Sequence, residues 1–318
     1  MMNPSLRIAV TGAGGFVGTA LCDALAGEGR QVLRLVRQLR HPRDMAVGHL
    51  GPDTDWRVLE GVEVVIHAAA RVHVMDETSG DPATAFREVN VLGTRHLAAR
   101  AAAMGVRRLV FLSSVKVHGE ASRPDRPFTV DDVPVPEDDY GRSKWEAEQV
   151  LWEVAAKTGL EVVVIRPPLV HGPGAKGNLA RLMRWISLGI PLPLGGIDNR
   201  RSLVGLDNLV DVLRLCADHP GASGQTYLVS DGRDISTPAL IRLLAAEMER
   251  RPRLISVSPR WLQRMGRLFG RGRELGRLCD SLQVDDSHLR DHLGWVPPVS
   301  LETGLSRMVS GAYHHRPV

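Results

Sequence analysis

Residues 11–18 read TGAGGFVG. They follow an apolar run, Arg7–Gly12, that reads as a strand breaking into glycine, and they lead into a helical pattern over Gly18–Gly29. Gly12, Gly15 and Gly18 form a G-x-x-G-x-x-G series, to which Gly12 and Gly14 add G-x-G. Glycine permits a tight turn and lets backbone N–H groups approach a pyrophosphate at a helix N-terminus. A strand-to-helix turn can also be glycine-rich for structural reasons alone. The position after the first strand and before an amphipathic helix favours dinucleotide binding.

Outward from this loop, apolar runs alternate with helical patterns. Strands are expected at Gln31–Arg37, Val62–Ala70, Arg107–Ser114 and Leu160–Pro168, and helices over Ala85–Gly105 and Tyr140–Gly159. This alternation predicts an α/β fold, a doubly wound parallel sheet with helices on both faces. From about residue 170 glycine and proline become dense, in HGPGAKGN and GIPLPLGG, shorter helices follow, and QTYLVSDG reads as an isolated strand. The expected division is a nucleotide-binding domain over 1–170 and a smaller substrate lobe over 171–318, with some interleaving.

Composition narrows the class. Of 318 residues, 43% are hydrophobic but only 4% aromatic, so aliphatic side chains must fill the core. Cys22, Cys216 and Cys279 have no paired or metal-ligand spacing and read as reduced thiols. The start moves directly into a strand without a signal-peptide core, and no apolar run reaches the ~18–20 residues of a membrane span. A cytoplasmic protein is expected. A net charge of +4 gives little reason to expect nucleic-acid binding. The twelve histidines, His67 and His73 among them, show no metal-ligand cluster, so no metal site is expected.

Two features bear on chemistry. Tyr140 and Lys144 form Y-x-x-x-K at a helix start, on one helical face. An ammonium beside a phenol favours phenolate and would lower a pKa that is ordinarily about 10, making the tyrosine a usable acid/base. The second strand ends LVRQLR, with no Asp or Glu to accept the ribose hydroxyls of NAD. Arg37, with Arg40, suits a 2′-phosphate, so NADP(H) is favoured and NAD(H) remains possible.

Together with VIHAAA, NVLGT, FLSSVKVHG, YGRSK, RPPLVHGPG and LGWVPPVSLETGL, these motifs make the chain resemble the extended short-chain dehydrogenase/reductases over essentially its whole length. Within them it resembles the nucleotide-sugar group related to UDP-galactose 4-epimerase. HAAARVHVMDE and SLVGLDNLVD look closest to 4-epimerases or reductases of UDP-4-keto-6-deoxy-HexNAc in surface-polysaccharide synthesis. The resemblance implies a Rossmann-type fold and a UDP-sugar substrate. It also implies a homodimer through the two helices that begin at Ala85 and Tyr140.

Residue by residue, the resemblance makes Ser114 the hydroxyl that bonds the reacting oxygen, in preference to Ser113. Tyr140 becomes the proton donor and acceptor, and Lys144 the group that holds the nicotinamide ribose. Gly12, Gly15, Phe16, Val17, Gly18, Arg37, Leu50, Ala68, Ala69, Ala70, Asn90 and Pro167 fall at cofactor positions, with Pro168 beside the nicotinamide. Asn178, Arg201 and, on a looser match, Arg277 fall where relatives bind the nucleotide diphosphate, which suits a guanidinium fork.

Departures from the family pattern sharpen the reading. Val115 and Lys116 stand where 4,6-dehydratases carry the Asp-Glu pair that drives elimination, which argues against a dehydratase. Leu169 replaces a substrate-binding Asn common in epimerases, His49 replaces an Asp near adenine, and His118 replaces a Tyr. Leu169 and the missing acid favour a 4-reductase using NADP(H). The alternative is a UDP-hexose or UDP-HexNAc 4-epimerase with tightly bound NAD. A non-catalytic cofactor-binding or assembly protein is the alternative of another class, against which the intact Ser114/Tyr140/Lys144 set argues. Arg260–Arg277 reads as a lobe helix with solvated arginines rather than as a membrane-binding helix. The acids of Glu137–Tyr140 read as charges favoured at a helix N-terminus, with a gating role as the alternative.

Overall fold

The computed structural model describes residues 6–72, 81–123, 125–258, 261–262, 264 and 272–314. Its main sheet has seven parallel strands: β1 (Arg7–Thr11), β2 (Gln31–Val36), β3 (Asp44–Ala46), β4 (Val64–His67), β5 (Arg108–Leu112), β6 (Glu161–Arg166) and β9 (Thr226–Leu228). They lie in the order β3-β2-β1-β4-β5-β6-β9. The order reverses between β1 and β4, and a doubly wound sheet binds its ligand at the carboxyl ends of the strands beside such a reversal.

The strands are apolar on both faces because each supplies two cores. Ile8, Val10, Val64, Ile66, Val163 and Ile165 pack with Leu21 and Leu25 of α1 (Phe16–Gly27) and Leu209 and Leu213 of α6 (Leu206–Asp218). The alternate residues Ala9, Val65, Leu109, Val162 and Val164 pack on the other side with Leu97 of α3 (Gly93–Ala103) and Leu151 of α4 (Asp139–Thr158). This is period-two alternation buried twice over, as parallel strands covered by helices require.

Two expectations change here. QTYLVSDG does not make an isolated strand: its β9 is the seventh strand of the main sheet, parallel to β6. The chain therefore returns to the nucleotide-binding layer after residue 200, with α6 against α1 and β9 at the sheet edge. The helix expected over Ala85–Gly105 runs unbroken from Pro82 to Ala103, but between α2 (Pro82–Phe86) and α3 its middle, Arg87–Leu92, is π-helical. Such turns occur where a helix must re-aim side chains, frequently at functional sites.

The remaining chain builds the lobe. A two-stranded parallel pair, β7 (Leu169–His171) and β8 (Leu203–Gly205), joins it to the sheet domain. Its own core gathers Leu182 and Ile186 of α5 (Asn178–Ser187), Ile241 and Leu244 of α7 (Thr237–Glu247) and Leu305 and Met308 of α10 (Leu301–His314). Between α7 and α10 come α8 (Gly272–Cys279) and α9 (Ser287–Leu293). Most of the arginine-rich stretch Arg260–Arg277 lies outside the described residues, although Trp261 is exposed and Leu262 is buried in the lobe core.

Candidate active site

The glycine loop sits at the β1/β4 reversal. Gly12 has φ +70°, and a Cβ there would stand 2.8 Å from the backbone of Ala69. A Cβ on Gly18 would stand 2.1 Å from the Gly12 carbonyl oxygen. Gly15 N–H donates to that same oxygen at 2.8 Å, closing the turn. Gly15 then begins α1 with no side-chain cap, and the first turn, with Phe16 and Val17, carries no acid. An uncapped N-terminus after a loop that excludes side chains fits a dinucleotide pyrophosphate. Ala68, Ala69 and Ala70 directly follow β4, and the backbone of Ala68 and Ala69 packs against Gly12 of this loop.

Ser114 follows β5 and caps a short 3₁₀ turn over Val115–Val117, its hydroxyl accepting from Lys116 N–H at 3.2 Å. Tyr140 lies in the first turn of α4, and its buried phenol stands near Ser114. Burial pushes the phenol up to about 12, with the Asp138 carboxylate adding to the rise and the Ser114 hydroxyl opposing it. This corrects the expected lowering by Lys144: in this structure desolvation of the phenol wins. Lys144 is itself buried, its Nζ 3.9 Å over the Phe111 ring. Burial brings it down to about 7, against the pull of Glu148.

Ser113 points elsewhere, donating to the buried carboxylate of Glu148. Ser114 is thus the serine of this pair that meets the tyrosine. Asn90 sits in the π-helical turn and is also buried. Its side chain accepts from Arg71 N–H at 2.8 Å, donates to the Arg71 carbonyl at 3.1 Å and donates to Ser143 Oγ at 2.9 Å. It ties the segment after β4 to the helix carrying Tyr140 and Lys144. The geometry therefore brings Ser114 to Tyr140, with Lys144 one turn along the same helix and Asn90 bracing that helix.

Other expected site residues spread wider. Arg37 is exposed just beyond β2, and Leu50 packs partly buried beside Gly93. Pro167, next after β6, accepts from Val115 N–H at 2.9 Å through its carbonyl, holding the serine turn against that strand end. Asn178 is exposed at the start of α5 and accepts from Arg181 at 3.0 Å. Arg201 donates to the carbonyls of Arg277 at 2.7 Å and Asp280 at 3.0 Å. Arg277 bonds Glu120 through both Nε and Nη2. Both guanidiniums hold protein partners, so this structure does not present them as an open diphosphate clamp.

With that geometry in view, comparison with known proteins decides the family. The family described as "NAD dependent epimerase/dehydratase family" matches residues 8–230. The chain belongs to the NAD-dependent epimerase/dehydratase family. It is 45% identical to a UDP-glucose 4-epimerase of Vibrio cholerae, over 94% of this chain and 93% of that one. It is 26% identical to an N-acetyl-alpha-D-glucosaminyl-diphospho-ditrans,octacis-undecaprenol 4-epimerase of Escherichia coli O157:H7, over 97% and 96% of the two chains. Among solved structures, MoeE5 in complex with UDP-glucuronic acid and NAD superposes with a TM-score of 0.79 at 25% identity, covering 98% of this chain and all of that one.

Several residues that organise the site of this epimerase/dehydratase-family enzyme left no motif in the sequence. Arg34, buried on β2, donates to the Ala13 carbonyl at 3.2 Å and to Asp44 on β3 at 2.9 Å, propping the glycine loop from below. Asp44 also accepts from the N–H groups of Arg40 and His41. Burial alone would raise its carboxyl, but Arg34 and these N–H groups hold it below the usual range. His67, fully buried, bonds Thr11 at 2.6 Å and Thr94 at 2.9 Å. It is a satisfied core histidine that sutures β1, β4 and α3; His73 lies outside the described residues. Asp138, from the acidic run before Tyr140, caps α4 by accepting from Gly141 N–H at 2.7 Å, while Asp139 pairs with Arg142. Among the described residues no group of three or more His, Cys, Asp or Glu could hold a metal ion, and no helix is long and apolar enough to cross a membrane.

Proposed function

We propose that this enzyme moves a hydride at C4 of a UDP-linked sugar, with Ser114 and Tyr140 meeting the C4 oxygen. The observation that carries the reading is the buried phenol of Tyr140 in the first turn of α4, near Ser114 at the end of β5, with Lys144 buried one turn along the same helix. The bound nicotinamide supplies the hydride acceptor or donor. As the C4 hydroxyl is oxidised, Tyr140 takes its proton; as the 4-keto group is reduced, Tyr140 returns it. Ser114 orients the oxygen throughout. Lys144, buried beside Phe111 and brought toward neutrality, would hold hydroxyl groups of the cofactor, and its charged form would stabilise the tyrosinate.

The Vibrio cholerae relative supports a 4-epimerase, in which NAD stays bound and hydride returns to the other face of the keto sugar. Arg37 favours a second reading, an NADP(H)-dependent 4-reductase of a UDP-4-keto-6-deoxy-HexNAc. It is exposed at the end of β2, no acid lies between it and Asp44, and Asp44 is committed to Arg34. The partly buried Leu169 on β7 agrees with that reading. A cytoplasmic homodimer with its substrate lobe mainly within 171–318 belongs to either version.

Denaturing fresh protein and identifying the released cofactor by mass spectrometry separates the two. Retained NAD with interconversion of UDP-glucose and UDP-galactose supports the epimerase. Consumption of NADPH with the 4-keto-6-deoxy substrate supports the reductase. Neither activity, with biological function unchanged in Tyr140→Phe, would replace both by a cofactor-binding role.

A further inference from the structure

Lys116 occupies a position where a carboxylate would serve dehydration, and the chemistry proposed above gives it no task. Its surroundings suggest one. Its ammonium pairs with Asp138, lies 3.5 Å from Glu120 and stands 5.9 Å from the centre of the Tyr140 ring. The backbone is equally committed: a Cβ on Gly141 would stand 2.6 Å from the Lys116 carbonyl oxygen and 3.1 Å from Asp138 Oδ1. The first turn of α4 therefore rests directly on the serine–lysine turn. Only a glycine admits that approach.

We propose that Lys116 is a positioning residue for the tyrosine, acting through Asp138. It neutralises the carboxylate that caps the tyrosine's helix and so keeps that carboxylate from opposing the phenolate. Asp138 must be present, because it satisfies the Gly141 N–H at the start of α4. Its charge lies two residues from the phenol and raises the phenol's pKa. A cap of this kind beside a catalytic phenol needs a counter-ion, and Lys116 is that ion.

The other charges nearby do not replace it. Arg277 approaches Asp138 at 3.7 Å, but its guanidinium is bonded to Glu120. Glu120 adds negative charge, as does Glu137, whose carboxylate accepts from Glu120 N–H at 3.0 Å. Lys144 is held against the Phe111 ring at 3.9 Å. A positive charge about 6 Å from the ring shifts the phenol by roughly half to two pH units at effective dielectric constants of about 80 to 20.

The inference deepens the C4 hydride-transfer reading and rests on it, but one of its tests needs no substrate. The chain has three tyrosines, so the Cζ resonances of ¹³C-tyrosine-labelled protein can be followed with pH, and Tyr140→Phe assigns the relevant one. With cofactor bound, the Tyr140 titration in Lys116→Met is expected to begin at least half a pH unit higher than in the wild type. The pH limb of kcat that requires phenolate should move by the same amount, with KM changing less than threefold. Lys116→Arg should restore both, and so should the double variant Lys116→Met/Asp138→Asn, which removes the charge to be neutralised. An unmoved titration in Lys116→Met, or a double variant no better than the single one, would overturn the proposal. Wild-type protein inactive on every UDP-sugar would refute the functional reading while leaving the titration result to stand or fall separately.

Discussion

Glu148 is fully buried one turn beyond Lys144 and is gripped by Arg166, whose Nε and Nη2 donate to its two oxygens at 3.1 and 2.5 Å. The pair links β6 to the helix that carries Tyr140 and Lys144, binds Ser113 Oγ and reaches His118 through Arg166 Nη1 at 2.9 Å. Removing one partner strands the other charge in the core, which costs about 3–5 kcal/mol. Glu148→Ala is therefore expected to lose about that much stability in urea denaturation. Glu148→Met/Arg166→Leu should lose clearly less, because no charge is left unpaired. Equal losses in the two would show that the pair contributes shape and not charge balance.

The Gly12 position tests the cofactor cradle. With φ +70° and a Cβ that would fall 2.8 Å from backbone, Gly12→Ala strains the turn and presses on Ala69. Left-handed strain of this kind costs about 1–3 kcal/mol. The expected result is a lower melting temperature and at least a tenfold weaker retention of NAD(H) or NADP(H), read by the fluorescence of the bound reduced nucleotide. Gly27→Ala, where a Cβ meets nothing within 4 Å, is the control and should bind as wild type.

What was legible in the sequence follows from what is local. The glycine loop, the two-sided apolar strands and Y-x-x-x-K are each encoded within a few neighbouring residues, and the sheet and the tyrosine helix follow from them. β3 leaves little trace in the sequence because it has only three residues, paired in parallel with β2. β9 read as isolated because its neighbour, β6, lies some sixty residues earlier; parallel pairing leaves no local signature. The π-helical turn that sets Asn90 has the same amphipathic pattern as an ordinary helix. The direction of the Tyr140 shift is not legible in the sequence for a related reason. Spacing shows which charges are close in sequence, whereas burial, the larger influence, belongs to the folded chain.

Asn90 makes three hydrogen bonds from a buried amide, two to the Arg71 backbone and one to Ser143. Asn90→Ala removes all three bonds, at about 0.5–1.5 kcal/mol for each. Because it braces the helix that carries Tyr140 and Lys144, kcat is expected to fall at least tenfold, with a drop in melting temperature. Asn90→Asp keeps the acceptor for Arg71 N–H and loses both donated bonds, so it should recover only part of the stability. A variant with wild-type kcat would remove Asn90 from the positioning of α4.

The pH dependence of stability should carry the mark of two buried histidines. Burial, with the charge of Lys144, pushes His67 from the usual 6.5 down to about 3. Burial, with the charge of Arg166, pushes His118 down to about 4. Both stay neutral in the fold while the unfolded chain takes up their protons, so the unfolded state binds more protons between those values and 6.5. Stability is then fully present above pH 6.5 and declines as pH falls toward the folded values, by up to about 1.4 kcal/mol per pH unit for each histidine. Urea midpoints measured across this window should drop with acid. His118→Gln should flatten the slope by about one histidine's share, because glutamine offers an amide near Arg166 and does not titrate. An unchanged slope would mean that His118 gains its proton in the folded state as readily as in the unfolded one.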